Sequence, residues 1–133
     1  MQKFTPSFSD LCAFAVLVAA WVLAAWIVDP SGDFPLNDDW SYGLSAMFFS
    51  EEGRLVFSNW HSMTLLTQVL WGAAFCEALG ASFEALRIST LVAGCMTILL
   101  AYWFLRRSGV GLLVAFIAAS ALALNPVFFS LED

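Results

Sequence analysis

Three long apolar runs, separated by short polar stretches, set the pattern of the chain. Leu11–Val28 is 18 residues long and carries no charged side chain, hydroxyl or amide, and Ile88–Leu105 is a second uncharged run of 18 residues. As a helix rising about 1.5 Å per residue, each run spans about 27 Å, which is close to the hydrocarbon thickness of a membrane. A third run follows the second after a short turn. The pattern therefore predicts three transmembrane helices: 11–28, 88–105 and 110–129.

Two further segments mix apolar and polar positions and predict helices at the membrane surface. After the turn-rich stretch 29–35, Asn37 is a good N-cap, apolar residues repeat at helical spacing through 38–50, and Gly53 is a plausible C-cap. Segment 60–80 is apolar enough for a membrane crossing, but one of its helical faces is polar: His61, Thr64, Thr67 and Gln68. Hydropathy alone does not distinguish a transmembrane helix from a surface helix for this segment.

The positions of the basic residues decide this ambiguous segment. Lysine and arginine favour the cytoplasmic side, so Lys3 and the pair Arg106-Arg107 both mark cytoplasmic ends. An even number of crossings must then lie between them, and the two uncharged runs supply two. We therefore expect 60–80 to be an interfacial or re-entrant helix on the outer side. The predicted fold is all-α and integral to the membrane, with about three transmembrane and two outer interfacial helices in a single membrane domain, 1–133.

Composition supports the membrane class and excludes others. Of the 133 residues 61% are hydrophobic and 12% charged, whereas soluble domains average about 45–50% and about 25%. A net charge of −6 argues against nucleic acid as a partner. The three cysteines show neither zinc-site spacing nor a disulfide framework. Because the chain stops at Asp133 just after an apolar segment, we expect a truncated piece of a longer multi-pass protein.

The candidate chemistry is concentrated at Asp38-Asp39, beside Trp40 and Tyr42, in the loop expected outside the membrane. Acids at a helix N-terminus are common and stabilise the helix by about 0.3–1 kcal/mol, which is the ordinary explanation of the pair. The functional explanation is that two carboxylates at a membrane surface remove a proton from a hydroxyl or hold a cation. A divalent metal is possible, but two acids are too few ligands to predict a site.

Two basic side chains have similar alternatives. His61 is either a polar surface residue or a contact for an anionic leaving group. Arg87, at the mouth of a helix, is either an interface anchor with a solvated head group or a phosphate ligand.

The order of these features resembles the N-terminal part of the GT-C class of membrane glycosyltransferases, nearest to the protein O-mannosyltransferase and lipid A aminoarabinose transferase group. The resemblance covers nearly the whole chain and lies in the order of short motifs. After the anchor helix these are Asp38-Asp39 with an aromatic neighbour, a helix ending near Glu52-Gly53-Arg54, Trp60-His61, Gly80-x-Ser-Phe-Glu-Ala-Leu-Arg87, Arg106-Arg107-x-Gly109 and Asn125-Pro-x-Phe-Phe129.

The resemblance implies a transferase that moves a sugar from a polyprenyl-phosphate donor to a hydroxyl acceptor, with inversion, on the periplasmic side of a bacterial inner membrane. It makes Asp38 the base and Asp39 its neighbour. The family's basic residue and two prolines near the donor phosphate correspond to His61, although Ser62-Met63 replaces the prolines here. Asp133 lies near the family's second functional acid. Substrate-binding residues are then expected at Trp40, Tyr42, His61 and Arg87.

Two other functions remain as alternatives. A transporter or channel fragment would line a path with polar residues inside the membrane, but the two uncharged runs carry almost no ionisable side chains. A small structural membrane subunit would explain the 16% aromatic content through lipid and helix contacts. It would not explain a paired acid at an exposed turn. Because relatives in the resembled family have many more helices, we expect this chain alone to be inactive.

Overall fold

The computed structural model describes residues 6–28, 32, 40–56 and 66–125. Regular secondary structure in these residues is entirely α-helical, which confirms the predicted all-α class for this part of the chain. Two of the helices, Phe8–Val28 and Phe83–Arg107, are long and apolar enough to cross a membrane. The five helices are α1 (Phe8–Val28), α2 (Trp40–Glu52), α3 (Leu66–Leu79), α4 (Phe83–Arg107) and α5 (Leu112–Ala123).

Helices α1 and α4 begin earlier than their apolar runs because serine side chains cap them. The hydroxyl of Ser7 lies 3.3 Å from the backbone N–H of Asp10, which donates to it, and α1 starts at Phe8, three residues before the predicted boundary. The backbone N–H of Ala85 likewise donates to Ser82 Oγ at 3.1 Å, and α4 starts five residues before the predicted position 88. A capped first turn tolerates polar residues, so the apolar run marks only part of each helix.

The third predicted membrane span, 110–129, is described only as far as residue 125, and its crossing of the membrane stays a prediction. Helix α5 has 12 residues and ends at Ala123, so it is about 18 Å long, whereas a membrane core is about 30 Å thick. Its last turn closes with the N–H of Leu124 donating to the carbonyl of Ser120 at 2.9 Å. Asn125 precedes a proline, and a residue in that position disfavours the helical conformation. The remainder of the predicted span, 126–129, lies outside the described residues.

Contacts divide the chain into two compact units, Met1–Asp29 with Val92–Glu132 (unit 1) and Pro30–Leu91 with Asp133 (unit 2). Helix α4 contributes its first part to unit 2 and its second part to unit 1. A single membrane domain over 1–133, and its truncation, stay predictions.

Unit 1 is built on buried stripes at helical spacing. Helix α1 packs against α5, and small alanine side chains on α5 allow the two backbones to approach closely. The phenol ring of Tyr102 on α4 meets the ring of Phe14 on α1 edge to face, with centroids 5.1 Å apart. The buried residues are Asp10, Ala13, Leu17 and Trp21 on α1, Ile98 and Tyr102 on α4, and Ala115, Ala119 and Ala123 on α5.

Unit 2 is a pair of packed helices closed by the first turn of α4. Helix α2 packs against α3 around Ala46, Val69 and Ala73, and Phe49 and Leu86 are partly buried against this core.

Helix α2 buries its small side chains and exposes its large apolar ones. Ser41, Ser45 and Ala46 are buried at 2–3% exposure. Leu44 and Phe48, two of the apolar residues that repeat at helical spacing in this segment, are 37% and 41% exposed. The helix ends at Glu52, and Gly53 follows with a φ of 67°, the left-handed conformation expected of the predicted C-cap.

Candidate functional site

The structure describes three of the seven predicted site residues. Trp40, Tyr42 and Arg87 lie within the described residues, all in unit 2. The predicted base and its neighbour, the predicted leaving-group contact and the possible second acid lie outside the described residues, and their roles stay predictions: Asp38, Asp39, His61 and Asp133.

Trp40 and Tyr42 both stand on the first turn of α2 and are half-buried. Trp40 is the first residue of the described helix, so Asp38-Asp39 immediately precede it in sequence. The predicted N-cap Asn37 lies outside the described residues and stays a prediction.

Arg87 is buried, at 8% exposure. Its terminal nitrogen NH1 donates a hydrogen bond of 2.8 Å to the carbonyl of Gly32, in the stretch that joins α1 to α2. The interface-anchor interpretation, in which the head group reaches into solvent, is therefore wrong. A buried guanidinium needs hydrogen-bond acceptors around it, and a backbone carbonyl 55 residues away in sequence supplies one here. The contact ties α4 to the segment that leads into the acidic turn.

Leu86, the neighbour of Arg87, is held between two glycines of the packed helices. A Cβ built on Gly43 of α2 would lie 3.1 Å from Leu86 Cδ1, and one built on Gly72 of α3 would lie 2.8 Å from Leu86 Cδ2. The two glycines thus open the space that the leucine fills. The indole N–H of Trp71 on α3 also donates to the carbonyl of Ser89 at 3.0 Å. These contacts fix the first turns of α4, and with them the position of Arg87, against α2 and α3.

A second polar cluster, which the sequence analysis missed, is centred on Asp10 in unit 1. This carboxylate is fully buried and accepts five hydrogen bonds. The backbone N–H and hydroxyl of Ser7 donate to Oδ2 at 2.9 and 2.6 Å. The Tyr102 hydroxyl and Arg106 Nε donate to Oδ1 at 2.8 and 2.7 Å. Arg106 NH2 makes a longer bond of 3.5 Å to Oδ2. The contact between Ser7 and Asp10 was recognisable from the sequence, because Ser7-x-x-Asp10 before an apolar run is a capping-box pattern.

Arg106 and Arg107 are adjacent in sequence but differ in their surroundings. Arg106 pairs with Asp10 and also donates from NH1 to the carbonyl of Val110 at 2.8 Å, so it joins the start of α1 to the turn after α4. Arg107 is exposed, and its guanidinium lies 5.1 Å from the centre of the Trp103 ring. The start of α1 and the end of α4 therefore meet within unit 1.

The described residues offer little other reactive chemistry. The Asp10 carboxylate accepts hydrogen bonds from five donor groups and is not free to act as a base. Burial raises the pKa of the Cys76 thiol, which keeps this cysteine in its unreactive protonated form. Within the described residues no three histidine, cysteine, aspartate or glutamate side chains come together in a group that could hold a metal ion.

No protein-family model, no curated protein and no solved structure matches the chain. The glycosyltransferase resemblance therefore stays a prediction that rests on the motifs themselves.

Proposed function

We propose that this chain is the N-terminal part of a membrane glycosyltransferase. The enzyme would transfer a sugar from a polyprenyl-phosphate donor to a hydroxyl acceptor at the outer face of a bacterial inner membrane. The observation that carries the proposal is the paired carboxylate Asp38-Asp39 directly before α2, in a chain whose two long helices are apolar enough to cross a membrane. The enzyme has to bind a lipid-linked donor at the bilayer surface, and a helix with exposed apolar side chains is stable there.

Two contacts of the described residues support this proposal. The pairing of Asp10 with Arg106 brings the start of α1 to the end of α4, as expected if an even number of crossings separates them. The bond from Arg87 to Gly32 ties the stretch between α1 and α2 to α4, six residues before Asp38 in sequence. A base has to be held within hydrogen-bond reach of its proton, and an anchored residue at position 32 favours this role for an acid that follows it closely in sequence.

In the proposed reaction Asp38 accepts the proton of the acceptor hydroxyl as its oxygen attacks the anomeric carbon. The bond between that carbon and the phosphate oxygen breaks, and polyprenyl phosphate leaves with the electron pair. The configuration of the anomeric carbon is inverted. A cation stabilises the negative charge on the leaving phosphate, and His61 and Arg87 are the candidates in this chain. Trp40 and Tyr42 would contact the sugar or the acceptor.

The test is Asp38→Asn in the full-length protein that contains this chain, assayed with a panel of radiolabelled polyprenyl-phosphate sugars. Loss of the general base should lower the transfer rate by roughly 100-fold or more. Asp39→Asn should lower it less, and Glu77→Gln, which changes an exposed acid on α3, should leave it unchanged. Wild-type transfer by the Asp38 variant would reject this base, and a larger loss in the Asp39 variant would make Asp39 the base.

The proposed orientation has its own test in cells. With the native cysteines replaced, single cysteines at positions 39, 77 and 107 are labelled by a membrane-impermeant maleimide. Positions 39 and 77 should label from outside and position 107 should not. Labelling of position 107 from outside would mean that segment 60–80 crosses the membrane.

A further inference from the structure

The part of α4 that belongs to unit 1 has two different faces. One face is buried through Ile98 and Tyr102 and ends in Arg106, which is paired with Asp10. The other face is exposed. Its residues, here named the outer stripe, repeat at intervals of four, three and four positions, which places them on one side of a helix: Met96, Leu100, Trp103 and Arg107.

The outer stripe is apolar along its length and positively charged at its end. Met96, Leu100 and Trp103 are 47%, 57% and 38% exposed. Arg107 closes the stripe, and its guanidinium lies over the Trp103 ring within cation–π distance. Among the described residues, the ion pairs are Arg106 with Asp10 and Arg54 with Glu52, so Arg107 has no carboxylate there. The positive charge of Arg107 is therefore accessible to a ligand that lies along the exposed face of α4.

The dimensions of the outer stripe match one leaflet of a bilayer. Arg107 lies eleven positions after Met96, which is about 16 Å along a helix. Half of a hydrocarbon core is about 15 Å. An acyl chain lying against the three apolar residues would therefore place its phosphate at the level of Arg107. A zwitterionic head group already carries a positive charge beside its phosphate. An anionic head group has a net negative charge, which complements the positive charge of Arg107.

We propose that the outer stripe binds an anionic phospholipid, with an acyl chain along Met96, Leu100 and Trp103 and the phosphate at Arg107. This inference rests on the membrane insertion assumed in the proposed function, but it does not depend on glycosyl transfer. It assigns different tasks to the adjacent arginines. Arg106 joins α1 to α4 inside the protein, and Arg107 binds lipid.

The experiment measures lipid selectivity at the protein surface. The full chain is reconstituted in phosphatidylcholine vesicles, and the motionally restricted fraction of spin-labelled phosphatidylglycerol is compared with that of spin-labelled phosphatidylcholine. We expect roughly a fivefold preference for the anionic lipid, the effect of about one basic residue at a membrane surface. Arg107→Gln should reduce the preference to about one. Arg107→Lys should retain most of it, because the charge remains.

Two further variants separate this site from general electrostatics. Arg54→Gln removes an exposed charge from unit 2 and should leave the preference unchanged. Trp103→Leu keeps the apolar surface but removes the ring beneath Arg107, and should give an intermediate preference. A full preference in Arg107→Gln, or an equal loss in Arg54→Gln, would overturn the proposal. Complete removal of the preference by inorganic phosphate would also overturn it, since the site would then bind the free anion.

Resistance of each variant to carbonate extraction distinguishes failure of this site from failure of insertion. If the wild-type chain resists extraction but shows no lipid preference, only the lipid site is rejected. If the wild-type chain is extracted, membrane insertion itself fails, and with it both proposals. The transfer assay of the full-length protein reports on the glycosyltransferase proposal separately.

Discussion

Replacing Asp10 by alanine removes the acceptor of five hydrogen bonds where α1 meets α4. Loss of the reciprocal cap with Ser7 costs about 1 kcal/mol. The Tyr102 hydroxyl, in a side chain with 0% exposure, loses its carboxylate partner, and an unpaired buried donor costs about 1–3 kcal/mol. Removal of one member of a buried ion pair costs about 3–5 kcal/mol in total.

We expect the Asp10→Ala variant to lose about 3 kcal/mol of unfolding free energy, at the lower end of that range. The reason is that the Arg106 side chain is 19% exposed and keeps its bond to the carbonyl of Val110. Water and this carbonyl therefore offset part of the loss. Asp10→Asn keeps the shape and an acceptor oxygen but removes the charge, so about 1–2 kcal/mol is expected, since charge-assisted bonds are about twice as strong as neutral ones.

The assay is reversible unfolding of the full chain in detergent micelles by sodium dodecyl sulfate, followed by circular dichroism. The matched control is Glu52→Gln, which breaks the surface pair with Arg54, whose atoms are 3.8 Å apart and whose side chains are 74% and 51% exposed. This variant should stay within about 0.5 kcal/mol of wild type. An Asp10→Ala variant as stable as the control, or no less stable than Asp10→Asn, would refute the reasoning.

Three further predictions use the same unfolding assay. Gly72→Val should lower the unfolding free energy by about 1–3 kcal/mol, because a Cβ at Gly72 would lie 2.8 Å from Leu86 Cδ2. Its control, Ala74→Val at an exposed position of the same helix, should lower it by under about 0.5 kcal/mol. Equal losses in the two variants would contradict the packing of Leu86 against Gly72. Gly53→Ala should cost about 1–2 kcal/mol because of its φ of 67°, and an unchanged stability would show that the cap is not needed. Ser45→Ala should cost about 1 kcal/mol, since its hydroxyl donates at 2.7 Å to a carbonyl of the loop after α2, and a stabilised variant would argue against this bond.

Arg87 and Asp10 show why parts of the candidate sites could not be predicted from the sequence. The sequence marks Arg87 as a charge beside an apolar run, and either a solvated or a buried head group suits that pattern. The structure buries it because the carbonyl of Gly32, 55 positions away, accepts its hydrogen bond. The capping pattern at Ser7 and Asp10 was readable, but the partners of the carboxylate at positions 102 and 106 were not.

The sequence by itself determined the features that depend on neighbours a few residues apart. The two long apolar helices and the left-handed cap at Gly53 followed from hydropathy, periodicity and turn chemistry, which act within one or two turns of a helix. Tertiary structure alone decided which side of α2 is buried and that Asp10 meets Arg106. These outcomes depend on which distant segments pack together, because a polar group that becomes buried needs a hydrogen-bond partner from whichever segment lies next to it. A local sequence pattern does not specify that partner.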